Sequence, residues 1–122
     1  MSLFSGSRRW VGLYAAAVLL LITLATLGPS EWVPRPPGLH WLVEHFISYF
    51  ALTVIVLIAW PRPVPVAIVL MVLAGVLEAL QGATVDRTPD VLSALSGAAA
   101  VLVAALLFWA IARLRKMGSS SA

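Results

Sequence analysis

Cysteine is absent from this sequence, which excludes disulfide bonds and thiolate chemistry and says nothing about compartment. Charge is scarce as well. Asp, Glu, Lys and Arg together make up 11% of the residues, where a soluble domain carries about 25%. Only five of these groups are acidic: Glu31, Glu44, Glu78, Asp86 and Asp90. No HExxH pair, glycine-rich phosphate loop or GxSxG elbow occurs, so the common zinc-protease, nucleotide-binding and serine-hydrolase signatures are missing. His45 with Glu44 and Glu78 supplies zinc-type donors, but their spacing specifies no site, and neither metal nor cofactor is expected.

What fills the chain instead is hydrocarbon. Hydrophobic residues are 61% of its 122, and the mean hydropathy is +1.01. A core of this length in water cannot bury that excess, so the expected partner is the lipid bilayer. The net charge of +3 and pI near 10.2 do not point to nucleic acid, because the basic residues cluster at the ends of apolar runs.

Four runs can each span a membrane. After a polar segment, residues 1–9, the first runs from Trp10 to about Leu27, or about 27 Å at 1.5 Å per residue, and Gly28-Pro29 stops it. Ser7-Arg8-Arg9 before an apolar run also describes an export signal. No globular region follows and no small-x-small cleavage site ends the run, so it is read as an uncleaved first helix. Residues 28–40 hold four prolines and two glycines and are read as non-helical, with Trp32 and Trp41 as interfacial aromatics. The second helix is expected over about 41–60 and the third over about 66–83, after the proline-stiffened turn at Arg62. The fourth is expected over about 89–112, with Thr88 as N-cap and Pro89 at its first position. Residues 113–122 read as a basic and then disordered tail.

The expected fold is therefore all-α, an integral membrane bundle of four transmembrane helices. Arg8, Arg9, Arg62, Arg113, Arg115 and Lys116 fall on one side of it, and Arg35 and Arg87 on the other. The positive-inside rule makes the first side cytoplasmic, with both termini on it, and gives a multi-pass protein of the inner (plasma) membrane. All five carboxylates and both histidines then lie toward the outer face.

Residues 75–97, GVLEALQGATVDRTPDVLSALSG, concentrate this polarity. On the second helix His45 and Tyr49 share a face, with Ser48 beside them; on the third Glu78 and Gln81 are three apart, with Gly75 and Gly82 on the side of Glu78. On the fourth, Asp90, Ser93, Gly97, Ala100 and Ala104 form a stripe whose small residues allow close helix approach. Helices two, three and four are expected to meet along these faces. That would gather His45, Tyr49, Glu78, Gln81, Arg87 and Asp90 into one binding site, with Glu78, His45 and Asp90 as candidate acid–base groups. Plainer readings stand beside this one. Glu78 and Arg87 can form a simple ion pair, Gln81 can hydrogen-bond a neighbouring helix, Asp90 can serve a helix N-terminus, His45 can sit at headgroup level, and Tyr49 can be a belt aromatic or a packing residue.

The order His45-Phe46-x-x-Tyr49, Glu78-x-x-Gln81, Arg87, Asp90 resembles the VanZ-like membrane proteins over roughly residues 41–105. That pattern continues with an Asn that has no counterpart here; its place falls on Ala94 or Gly97, according to which loop length is used. The resemblance implies a cell-envelope protein and a link to glycopeptide (teicoplanin) resistance. The functional expectation is a binding or modulating protein that engages a lipid or peptidoglycan-precursor headgroup at an outward-facing site. The alternatives are a small membrane enzyme acting on a lipid-linked phosphate or ester, and a structural subunit of a membrane complex.

Overall fold

The computed structural model describes residues 3–28, 31, 40–85 and 87–121. Trp32, Arg35 and most of the proline-rich 28–40 segment lie outside the described residues, as does Asp86. Among the described residues the chain forms four α-helices: α1 (Leu3–Leu27), α2 (Trp41–Ala59), α3 (Pro63–Leu80) and α4 (Val91–Ser120). A short 3-10 turn, Gln81–Ala83, extends α3. All four are long and apolar enough to cross a membrane.

Local chemistry accounts for the helix ends, several of which differ from the sequence expectation. α3 begins at Pro63 rather than near Val66, because prolines in the first turn lack only an N–H that would have no helical partner anyway. α4 begins one residue after Asp90, not at Pro89. The Asp90 side chain, rather than Thr88, caps it by accepting the Leu92 N–H at 3.1 Å. α1 starts before Arg8. α4 continues through Arg113, Arg115 and Lys116 to Ser120, so the segment read as disordered is helical for most of its length. No proline interrupts it, and Ser119 and Ser120 satisfy themselves by donating to carbonyls three residues back.

Within the bundle α4 packs most extensively on α2 and α3, while α1 lies against α2 and, less closely, α3. The buried stripe of α4 is Ser93, Gly97, Ala100, Val101, Ala104 and Ala105. Its Ala100, Val101 and Ala105 share a buried apolar cluster with Tyr49 and Leu52 of α2 and Leu70, Ala74 and Leu77 of α3. In lipid, burial of apolar surface does not drive helices together; close backbone approach does, and small residues permit it. Among the glycines described, Gly97 has the closest neighbours. A Cβ there would sit 2.9 Å from Tyr49 Cδ2 and 3.4 Å from Ala74 Cβ. Gly75 is different: it is exposed, with open space around it, and is not part of the packing face that its position beside Glu78 suggests.

Long apolar side chains on the outer surface, such as Leu13, Ile58, Val69 and Leu106, are more than half exposed. At one end of the bundle sit Trp10, Trp60 and Trp109, with the Arg113 guanidinium 5.1 Å above the Trp109 ring. The opposite end gathers the C-terminus of α1, the N-termini of α2 and α4, and the C-terminus of α3. Hydrogen bonds tie these four together: Gln81 Nε2 donates to the Thr26 carbonyl at 3.2 Å, and Ser96 Oγ donates to the Leu42 carbonyl at 2.7 Å.

Candidate functional site

The polar end of the bundle is built around Glu78. This carboxylate is 5% exposed and lies in the last turn of α3. Its Oε1 accepts the backbone N–H of Asp90 at 2.7 Å. In a capping box, an acid at the third helical position of the same helix would take that N–H. Here Ser93 holds that position and its hydroxyl instead donates to Asp90 Oδ2 at 3.2 Å. Glu78 reaches across from α3 to supply the missing acceptor, and its negative charge also complements the positive end of the α4 dipole.

On its other side Glu78 meets α2. Its Oε2 lies 3.8 Å from His45 Nε2. His45 Nδ1 is 3.0 Å from the Trp41 carbonyl; a carbonyl only accepts, so Nδ1 carries a proton and Nε2 is the nitrogen turned to Glu78. One carboxylate thus connects the ends of three helices. The simple Glu78–Arg87 ion pair does not form: among the described residues, the basic side chain within 4 Å of Glu78 is that of His45, at 3.8 Å.

Arg87, in the loop before α4, turns elsewhere. It lines a cavity of about 480 Å³ between α1 and α2. The α2 wall is Glu44, His45, Ile47, Ser48, Tyr49 and Ala51, and the α1 wall is Val18, Leu21, Ile22, Ala25 and Thr26. Arg87 Nε is buried and has no hydrogen-bond partner among the described residues. A buried donor left unsatisfied is uncommon and costs roughly 1–3 kcal/mol. Among the described residues no three His, Asp or Glu side chains converge as metal ligands.

The six residues singled out from the sequence therefore divide. His45, Tyr49 and Arg87 line the cavity, and Glu78 adjoins it through His45. Gln81 and Asp90 do not line it; Gln81 fastens α3 to α1, and both carboxylate oxygens of Asp90 are engaged in starting α4. The α1 wall was missed, because helix one contributes no charge to draw attention. Its signal was Thr26, a buried polar residue near the end of an apolar run, in helical register with Ile22 and Val18.

A model of the DUF4818 family, described as a domain of unknown function, matches residues 11–118. The chain belongs to that family. This overturns the VanZ-like resemblance, and the link to glycopeptide resistance, which rested on it alone, goes with it. The short motifs behind that resemblance have local explanations in the DUF4818 bundle. Glu78, Gln81 and Asp90 stitch helix ends together, and Tyr49 fills the space left by Gly97. Any small bundle whose helix ends must satisfy one another in lipid favours polar pairs at such spacings, so they discriminate poorly between families. No curated protein and no solved structure matches the chain.

Proposed function

We propose that this chain is a multi-pass protein of the inner (plasma) membrane that binds the phosphate-bearing headgroup of a lipid at the polar end of its bundle. The observation that carries the reading is Arg87, whose buried Nε has no hydrogen-bond partner among the described residues, on a cavity that His45, Ser48 and Tyr49 also line. A guanidinium offers a planar fork of donors suited to phosphate oxygens. Binding is favoured over catalysis because the candidate acid–base groups are already engaged. Asp90 is a helix cap and Glu78 holds the start of α4, so neither carboxylate is left to move protons on a substrate.

The test compares a phospholipid with the matched diacylglycerol, which lacks the phosphate, on the purified chain in detergent. The phospholipid is expected to bind more tightly. Arg87→Lys and Arg87→Gln are each expected to weaken it about tenfold, the loss of one charge-assisted hydrogen bond, with thermal stability unchanged. Equal binding of the two lipids, or variants that bind like the wild type, overturns the reading.

Orientation is part of the same proposal. The six basic residues at the tryptophan-rich end support a cytoplasmic position for that end and for both termini, and an outward-facing site. Cytoplasmic and periplasmic reporters fused after Met117 and within residues 28–40 are expected to give opposite signals. An outside signal from the Met117 fusion overturns this orientation.

A further inference from the structure

The cavity has a shape and a charge pattern that narrow its occupant. Its two walls run antiparallel, from Thr26 down to Val18 on α1 and from Glu44 down to Ala51 on α2. Eight residues of helix cover about 12 Å, close to the roughly 15 Å depth of hydrocarbon in one leaflet. Glu44, His45, Ser48 and Arg87 gather toward the upper end, and Val18, Ile22 and Ala51 line the lower. The rim residues Leu21 and Ile47 are 65% and 56% exposed, so the cavity is a groove open to the side of the bundle. A hydrocarbon chain can enter it from the bilayer without crossing water.

The upper end carries both signs of charge. Arg87 and Glu44 line the same groove, yet no ion pair within 4 Å forms between them, and among the described residues Glu44 has no basic partner at that distance. A headgroup that is only anionic would satisfy Arg87 and be repelled by Glu44. A headgroup carrying phosphate and ammonium together would meet both, phosphate at Arg87 and ammonium at Glu44. We propose that the α1–α2 groove binds a zwitterionic amino-phospholipid, with one acyl chain lying between Val18, Leu21, Ile22 and Ile47. The inference rests on the phosphate-headgroup reading of Arg87 and adds the ammonium site and the chain groove.

The full chain in detergent is titrated, by native mass spectrometry, with phosphatidylethanolamine and phosphatidylglycerol of identical acyl chains, and with glycerophosphoethanolamine, which has the headgroup but no chains. The wild type is expected to prefer phosphatidylethanolamine about tenfold, and glycerophosphoethanolamine to bind far more weakly than either lipid. Glu44→Gln keeps size and hydrogen-bonding capacity and is expected to abolish the preference while phosphatidylglycerol still binds. Arg87→Gln is expected to weaken both lipids. Equal wild-type binding of the two lipids, or a preference that survives Glu44→Gln, overturns the zwitterion site while loss of both in Arg87→Gln leaves the phosphate reading standing. Binding of both lipids that ignores Arg87→Gln overturns both readings. Retention of the wild-type melting temperature in each variant separates loss of the site from loss of the fold.

Discussion

Gly97→Leu is expected to remove most of the folded protein from the membrane. Even a methyl group at this position would lie 2.9 Å from the Tyr49 ring and 3.4 Å from Ala74. Tyr49 is 3% exposed and Ala74 2%, so neither has room to retreat without separating α4 from α2 and α3. Overpacking of one or two methyl groups costs about 1–3 kcal/mol in a well-packed core, and leucine adds more volume than that. The gain in helix propensity on replacing glycine is only about 1 kcal/mol, so the clash wins. Gly75→Leu is the control, because that position faces open space. Membrane abundance and melting in detergent should fall steeply for the first variant and stay near wild type for the second. Equal behaviour of the two would mean that α4 does not approach its neighbours through Gly97.

The second large effect is expected at Glu78. Glu78→Leu removes the acceptor for the Asp90 N–H and the oxygen facing His45 in one step. Hydrogen bonds to a charged group contribute roughly 1.5–3 kcal/mol net, and the half-buried position of Asp90 lets water recover part of that; a loss of about 2 kcal/mol is expected. Glu78→Gln keeps a carbonyl in place of Oε1 and is expected to lose less than half as much. The charge swap Glu78→Arg with Arg87→Glu is expected to be at least as damaging as Glu78→Leu, because the two residues are not paired and the swap buries a guanidinium among helix ends. Thermal melts of the three variants decide the matter. A swap that restores wild-type stability would show that Glu78 and Arg87 act as a pair after all.

Both effects arise from features that the linear sequence displays unevenly. Four long apolar runs separated by prolines, glycines and charges left little choice but four helices, since lipid tolerates no unpaired backbone. The small-residue stripe from Ser93 to Ala104 was also legible, because a helix period of 3.6 places those positions on one side whatever they pack against. Helix ends were less so. Val66, Pro89 and Ala112 were reasonable boundaries on hydropathy. Proline is nevertheless accepted in the first turn of α3, Asp90 is the better cap, and nothing after Ala112 breaks the helix before Ser120.

The polar residues were visible one by one, since charge in an apolar run stands out, but their partners were not. Glu78 could have met Arg87 nine residues on; it meets His45 and the Asp90 backbone because α3 and α4 dock through Gly97 and Ala74, which sets the height of one helix against the other. Gln81 and Asp90 looked like members of a binding site and are fastenings, a distinction that depends on which acceptor or donor stands within about 3 Å. The groove depended most on tertiary structure. Its walls belong to α1 and α2, whose facing residues are ordinary Val, Leu, Ile and Ala. Only the position of α1 beside α2, with Arg87 lining the space between them, separates an open groove from a filled interface. Hydropathy is a property of each residue and can be read along the chain. A cavity is a property of the gap between helices, and exists only once they are packed.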